Sequence, residues 1–147
     1  MVAKAAAKAG LAGMEYLVGV PGTIGGALRM NAGCYDQETS DVLVEAVALD
    51  RSGRRIVVSP EELAYAYRHC SAPEDWIFTE AVFQGTPDEP AAITERMDAI
   101  TARRETTQPI REKTSGSTFA NPDPPGTPNQ RKSWELIDSV GGRGFTV

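Results

Sequence analysis

The sequence predicts an α+β chain in which helical and extended segments alternate. Two short apolar runs that flank a tight turn predict a β-hairpin, and a helix-capping pattern follows directly after it. A third extended segment and a longer helical segment come next. The chain has 147 residues, of which 41% are hydrophobic and 24% are charged, so we expect about one globular domain.

The hairpin and the helix after it are adjacent in the sequence. Residues 42–49 and 54–58 are apolar and flank the turn at 50–53, which ends in glycine. The stretch SPEE at 59–62 then supplies an N-cap hydroxyl, a proline at the first helical position and a glutamate at the third. This capping box predicts a short helix.

Another helix is predicted at the start of the chain, and a third strand follows the short helix. Residues 2–9 are rich in alanine and predict the first helix. Residues 76–85 alternate in polarity, so that Ile77, Ala81 and Phe83 share one face of the predicted strand.

Two helices are predicted in the later part of the chain. Ile93, Met97 and Ile100 recur at helical spacing in a segment that Pro109 ends. Ser133 is the expected cap of a last helix. Its apolar residues, which we expect to lie in a core, are Trp134, Leu136 and Ile137.

Charge and cysteine content exclude several function classes. The net charge of −5 and the pI of about 4.9 argue against nucleic-acid binding, because neutralising phosphates requires clustered basic residues. No apolar run reaches the roughly 18 residues of a membrane span, and no leader is recognisable. Cys34 and Cys70 form no metal or disulfide pattern, so we expect reduced thiols, no metal site and a cytoplasmic location.

Residues 18–33, VGVPGTIGGALRMNAG, contain five glycines among apolar residues. Bare glycine backbone can form a concave site whose N–H groups point at a phosphate. The spacing matches neither the G-x-G-x-x-G pattern nor the P-loop. From the residues alone, two interpretations stay open: a cradle for a diphosphate, and a turn that lets a strand pass beneath a helix.

Four blocks of sequence follow one another in this order: VGVPGTIGGALRMNAGCYDQE, YAYRHCS, RRETTQPIREKTSGSTFANP and SWELIDSVGGRG. In their order and spacing they resemble the MurB family of UDP-N-acetylenolpyruvoylglucosamine reductases. The resemblance implies part of an FAD-binding domain of the vanillyl-alcohol-oxidase-like fold in residues 1–103 and the start of a substrate-binding domain in residues 104–147. It also implies an oxidoreductase of peptidoglycan synthesis that uses FAD and NADPH to reduce UDP-N-acetylglucosamine enolpyruvate, a UDP-sugar, to UDP-N-acetylmuramate.

The resemblance further implies the roles of individual residues. Arg68 would meet the substrate carboxylate, a task suited to a guanidinium fork. Ser117 would give a proton to the enolate carbon that hydride addition creates. Asn121 and Arg104 would bind the substrate. The residues that would line FAD are Pro21, Gly22, Thr23, Gly25, Gly26, Asn31 and Gly33.

The polar residues of this set also have structural interpretations. Arg68 could form a surface ion pair with Glu61 or Glu62, which would contribute little to stability. Ser117 could be a turn hydroxyl beside a glycine. Arg104 could stabilise the negative end of a helix dipole.

The sequence departs from the family pattern at Asp36, where glycine is common, and at Ala120, where lysine is common. We also expect the chain to lack an N-terminal glycine loop and a C-terminal glutamate of the family. These departures motivate a second hypothesis: a module without catalytic activity that binds a UDP-sugar or a protein partner. Without those two segments, we expect the 147-residue chain to bind FAD weakly, to be inactive alone and to self-associate through an uncovered face of its sheet.

Overall fold

The structure, a computed structural model, describes residues 1–107 and 118–142. They form two compact units, one within 1–107 and the other within 118–142. Mixed helices and antiparallel strands confirm the predicted α+β class. The helices are α1 Val2–Lys8, α2 Ile24–Met30, α3 Pro60–Leu63, α4 Pro90–Thr107 and α5 Ser133–Ser139. Two 3-10 helices span Glu15–Gly19 and Thr39–Asp41.

Seven short strands form three antiparallel sheets in the first unit. The strands are β1 Leu11–Ala12, β2 Gly33–Cys34, β3 Gln37–Glu38, β4 Leu43–Leu49, β5 Arg55–Val58, β6 Ile77–Phe83 and β7 Thr86–Pro87. The largest sheet has the order β5-β4-β6, while β1 pairs with β7 and β2 with β3. The predicted hairpin is therefore confirmed as β4 and β5. In its turn, the Asp50 carboxylate accepts hydrogen bonds from the N–H groups of Ser52 and Arg54.

The third strand is confirmed, but one of its residues faces the opposite way. The register of β4 and β6 shifts by one residue between the pairs Val47–Glu80 and Ala48–Phe78. This β-bulge reverses the alternation, so Phe78 packs against the core while Ile77 is 68% exposed. The prediction for Ile77 was wrong for that reason. The other two residues of the predicted face, Ala81 and Phe83, pack against the core as expected.

The predicted capping box begins α3. The Ser59 hydroxyl accepts a hydrogen bond from the Glu62 N–H at 3.3 Å, and the Glu62 carboxylate accepts one from the Ser59 N–H at 2.8 Å. Two N–H groups that the helix itself leaves unpaired, those of Ser59 and Glu62, are thus satisfied. The helix places Leu63, which is 1% exposed, in the core beneath the large sheet.

Helices α1 and α4 pack against each other through small and medium apolar residues. Ala3 and Ala7 of α1 contact the cluster that contains Ile93 and Met97 of α4. The helical spacing read from the sequence is confirmed, and Ile100 is half-buried on the same helix. The position of Pro109, the predicted stop, lies outside the described residues.

The last helix differs from the prediction at its start and in its burial. Ser133 is the first residue of α5 rather than its cap, and its N–H donates to the side-chain oxygen of Asn121 at 3.1 Å. Within residues 118–142, α5 is the only helix and no strand is present, so no second element covers it. The predicted core residues are therefore exposed: Trp134 by 57%, Leu136 by 43% and Ile137 by 38%.

Apolar side chains also lie on the surface of the large sheet. Val44, Val57, Ile77 and Val82 are each between 44% and 68% exposed. Self-association through this face stays a prediction. Among the described helices, none has the length and hydropathy needed to cross a bilayer.

Two tyrosines whose hydroxyl groups are buried, Tyr16 and the partly buried Tyr65, lead to the first testable prediction. The Tyr65 hydroxyl is buried without a hydrogen-bond partner among the described residues, and burial raises its pKa. The fully buried Tyr16 hydroxyl instead donates to Thr39 Oγ1. We expect Tyr65→Phe to raise the free energy of unfolding by about 1 kcal/mol, because it removes an unsatisfied polar group. Tyr16→Phe, the matched control, should lower it by a similar amount. Urea denaturation measures both, and a clear loss of stability in Tyr65→Phe would contradict the prediction.

Candidate functional site

The glycine-rich segment forms an extended entry, a short helix and a left-handed exit. Gly22 has a φ of +134°, which favours glycine, and Thr23 caps α2 by accepting a hydrogen bond from the Gly26 N–H at 3.1 Å. The helix ends at Asn31, whose φ of 41° is left-handed. Among the described residues the Thr23 oxygen acts only as an acceptor, so its O–H is available there as a donor.

A cavity of about 370 Å³ lies beside the start of α2. Gly22 and Thr23, which the sequence assigned to cofactor binding, line it. The other lining residues are apolar: Met1, Val2, Leu17, Val20, Ile24 and Ala27. A mostly apolar cavity with a few polar groups is the usual form of a small-molecule site.

The glycines of this segment serve different purposes. A Cβ on Gly33 would lie 2.3 Å from the carbonyl oxygen of Gln37, so the β2–β3 hairpin itself excludes a side chain there. A Cβ on Gly25 would lie 3.5 Å from the Phe78 carbonyl oxygen, and one on Gly26 would lie 3.5 Å from Thr23 Oγ1. Both distances are ordinary van der Waals contacts. The described fold therefore has room for a methyl group at positions 25 and 26.

Two adjacent glycines in a helix are unfavourable unless something else requires them. Each weakens a helix interior by about 1 kcal/mol relative to alanine. Since the described chain does not need the space at Gly25 and Gly26, their use fits a group that approaches this backbone closely. This observation favours the cradle interpretation of the segment.

Asn31 joins the helix to the segments around it. Its side chain is almost fully buried, with 1% of the residue exposed. The side-chain oxygen accepts from the Ser40 N–H at 3.0 Å, and Nδ2 donates to Glu38 Oε2 at 2.6 Å and to the Ala66 carbonyl at 3.3 Å. The polar atoms of this side chain are thus engaged with the protein, and its role toward a cofactor stays a prediction.

Arg68 lies next to this junction in a strained conformation. Its φ of 54° is left-handed, which is uncommon for a residue other than glycine. The guanidinium donates to the Asn31 carbonyl at 3.2 Å and to the Gly33 carbonyl at 2.6 Å. Its carboxylate neighbour is Glu38, at 3.7 Å, and not Glu61 or Glu62 as the surface interpretation expected. These two hydrogen bonds use two of the five guanidinium N–H donors. Among the described residues the other three have no acceptor, so they are available to a ligand.

Arg104, on α4, lies close enough to Cys34 of the β2–β3 hairpin for its charge to act on the thiol. One of its terminal nitrogens donates to the Gly19 carbonyl. The Cys34 thiol donates to the Tyr16 carbonyl at 3.1 Å. Burial raises the pKa of this thiol to about 11, and the charges of Arg104 and Arg68 partly oppose that rise. The structure therefore brings two of the predicted site arginines close to the β2–β3 hairpin.

The turn of that hairpin explains the unusual Asp36. Tyr35 and Asp36 have φ values of 55° and 63°, as the two-residue turn between β2 and β3 requires. Glycine adopts this conformation freely, and aspartate tolerates it better than most residues do. The Arg103 guanidinium lies 5.1 Å from the centre of the Tyr35 ring and covers the turn.

The remaining predicted residues belong to later parts of the chain. Ser117 lies outside the described residues. Asn121 lies in the second unit, where its side-chain oxygen holds the start of α5, and the neighbouring Ala120 carbonyl accepts from the Ser133 hydroxyl. Among the described residues, no group of three or more histidine, cysteine or carboxylate side chains could hold a metal ion.

Sequence reasoning missed two residues of this region. Glu38 contacts both Asn31 and Arg68, and Arg29 donates to three carbonyls of the loop before β6. A two-residue turn at 35–36 would have predicted that Glu38 lies opposite Gly33. No pattern in the sequence indicates the partners of Arg29, because they are backbone atoms of an irregular loop.

Comparison with known proteins supports the resemblance over the whole chain. A UDP-N-acetylenolpyruvoylglucosamine reductase from Maricaulis maris is 86% identical over 147 residues, which are 100% of this chain and 47% of that protein. One from Parvibaculum lavamentivorans is 57% identical over 98% of this chain and 44% of its own length. No protein-family model matches.

Solved structures agree with the sequence comparison. The crystal structure of UDP-N-acetylenolpyruvylglucosamine reductase (MurB) from Thermus caldophilus matches with a TM-score of 0.83 and 35% identity, over 99% of this chain and 52% of that one. The resemblance inferred from the four sequence blocks is confirmed. The chain spans about half the length of the curated relatives it matches.

The different environments of the glycines lead to a second prediction. We expect Gly25→Ala to raise the free energy of unfolding of the free chain by roughly 0.5–1 kcal/mol, because the methyl group fits and stiffens α2. Gly33→Ala should lower it by about 2 kcal/mol or more, since the new Cβ meets backbone. Urea denaturation measures both changes. Equal destabilisation by the two substitutions would show that the fold itself requires the glycine of α2.

Proposed function

We propose that this chain provides the flavin-side half of a UDP-N-acetylenolpyruvoylglucosamine reductase, and that with the rest of such a protein it reduces the enolpyruvyl group of UDP-N-acetylglucosamine enolpyruvate to a lactyl group. The observation that carries the proposal is the glycine pair of α2, which leaves open backbone beside a cavity in a chain 86% identical to part of a reductase. No observation among the described residues favours a module that only binds a ligand.

FAD is the proposed cofactor and NADPH the proposed source of electrons. The backbone from Pro21 to Gly26 and the Thr23 hydroxyl would hold FAD, with the cavity next to α2 accepting an apolar part of it. Pro21, Gly22, Thr23 and Gly26 are exposed, so a ligand can reach them. Gly33 and Asn31 would contribute by fixing the end of this backbone. When bound, the flavin supplies hydride transfer between NADPH and the enolpyruvyl carbon.

Arg68 is proposed to bind the carboxylate of the enolpyruvyl group. Its guanidinium is held in place by the Asn31 and Gly33 carbonyls, so it does not have to reorganise to receive a carboxylate. Addition of hydride to the methylene carbon places negative charge on the neighbouring carbon and its carboxylate. A fixed cation there stabilises the charge as it develops.

Roles toward the substrate are also proposed for Ser117, Arg104 and Asn121. Ser117 would donate its hydroxyl proton to the enolate carbon, which ends the reaction with a saturated lactyl ether. Arg104 and Asn121 would contact the UDP-sugar. We also propose that residues 1–103 belong to the flavin-binding part and residues 104–147 to the start of a substrate-binding part. A cytoplasmic location is proposed as well, and the two free thiols of Cys34 and Cys70 support it.

A chimera tests the proposal directly. This chain would replace the 147 matching residues of the Maricaulis maris reductase, with which it is 86% identical. We expect the purified chimera to absorb as a flavoprotein and to oxidise NADPH when the enolpyruvyl UDP-sugar is added. The Gly25→Ala chimera should bind flavin at least about tenfold more weakly, because the methyl group fills the cradle. A colourless chimera without turnover would refute the proposal, and flavin binding unaffected by Gly25→Ala would refute the cradle.

The proton-donor role of Ser117 can be separated from binding. In the chimera, Ser117→Ala should leave reduction of the flavin by NADPH nearly unchanged and slow its reoxidation by the enolpyruvyl substrate about 10²–10⁴-fold, as expected for a lost general acid. Stopped-flow absorbance follows the two half-reactions separately. Ser139→Ala, in the described part of the second unit, is the control and should change neither. Equal slowing of both half-reactions would contradict the role.

A further inference from the structure

The backbone conformation of Arg68 is unfavourable, so contacts of its side chain must hold the residue in place. Its left-handed φ of 54° is unfavourable for an arginine, and its side chain is 28% exposed. The two terminal nitrogens of its guanidinium donate to the carbonyls of Asn31 and Gly33, one to each. Because both acceptors are neutral, they do not compensate the positive charge of the guanidinium, and a carboxylate nearby is needed to do so.

Glu38 supplies that carboxylate and is itself firmly anchored. It lies on β3 directly opposite Gly33. Its Oε2 accepts a hydrogen bond from Asn31 Nδ2 at 2.6 Å, while its Oε1 faces the terminal nitrogen of Arg68 at 3.7 Å. Its backbone N–H donates to the Asp41 carboxylate at 2.7 Å, which fixes the main chain at this position. The position of Oε1 relative to the guanidinium is therefore determined by the buried Asn31 side chain.

We propose that Glu38 is a positioning residue for Arg68: held by Asn31, its carboxylate orients the guanidinium and compensates its charge without occupying the donors that receive a ligand carboxylate. At 3.7 Å the Glu38 oxygen lies beyond hydrogen-bond distance, so it attracts the cation but leaves its N–H groups available. The consequence for the reaction rests on the proposed function, whereas the placement of Arg68 does not.

The test uses Glu38→Gln in the chimera with the Maricaulis maris reductase. Glutamine keeps an oxygen that can accept from Asn31 Nδ2, but it removes the negative charge that faces Arg68. Since the pair is partly exposed, we expect the KM for the enolpyruvyl UDP-sugar to rise about three- to tenfold. Flavin reduction by NADPH and the melting temperature should stay close to those of the parent. Glu45→Gln, the same change at an exposed residue of β4 without a contact to Arg68, should leave the KM unchanged.

A double-mutant cycle shows whether Glu38 acts through Arg68. In an Arg68→Lys background the two-carbonyl hold is lost, so Glu38→Gln should add little to the KM. An equal further rise in that background would overturn the proposal, and so would an unchanged KM in the single variant or equal slowing of both half-reactions. A lowered KM would also overturn it, because it would mean that Glu38 competes with the substrate carboxylate.

Two further measurements decide the remaining outcomes. Should Glu38→Gln not fold, Glu38→Asp keeps the charge but is one methylene shorter, and a raised KM with normal flavin reduction supports the proposal while a parental KM overturns it. Should the chimera show no turnover, the proposed function fails, and a crystal structure of the Glu38→Gln chain decides the inference. Arg68 displaced from the two carbonyls supports it, and Arg68 in its original place overturns it.

Discussion

The buried side chain of Asn31 is the junction on which the arrangement of this region depends. It lies where α2 ends and the chain reverses toward the β2–β3 hairpin. Its hydrogen bonds reach Glu38 and Ser40, which lie two residues apart where β3 runs into the next 3-10 helix, and Ala66, which belongs to a separate segment. A buried amide must satisfy its polar atoms, so the energetic requirement of one side chain fixes the end of α2 relative to these two segments.

Two arginines connect the glycine-rich segment with the segment that contains residues 66–76. Arg29, at the end of α2, donates to the carbonyls of Ala72 and Pro73 at 2.7 Å and of Trp76 at 3.2 Å. Arg68, in the later segment, donates in turn to the carbonyls of Asn31 and Gly33, which follow α2. The glycine-rich segment and the segment around Arg68 are thus tied together at two places by charge-assisted hydrogen bonds, which are stronger than neutral ones. The segments proposed to hold the cofactor and the substrate carboxylate are therefore linked directly to each other by hydrogen bonds.

The sequence was sufficient to predict features that are set by local patterns. The β4–β5 hairpin, the capping box of α3 and the buried positions of α4 depend on residues close together in the chain, and the structure has them as expected. Features set by distant partners were not accessible in this way. The bulge in β6 arises from pairing with β4, and the exposure of Trp134 depends on which elements surround α5. Likewise, the glycine content indicated a bare backbone but not the reason for each glycine. The space around the two positions shows that the hairpin excludes a side chain at Gly33, whereas the described fold does not exclude one at Gly25.

The irregularity in β6 has a consequence for how the sheet meets other molecules. Among the described strands, the order β5-β4-β6 leaves β6 at an edge, and edge strands present a row of unpaired backbone groups that an extended peptide can pair with. The extra residue at Thr79 interrupts that row and increases the local twist. A foreign strand can therefore match this edge over only part of its length, so the same feature that turns Ile77 outward also discourages fibril-like growth by strand addition.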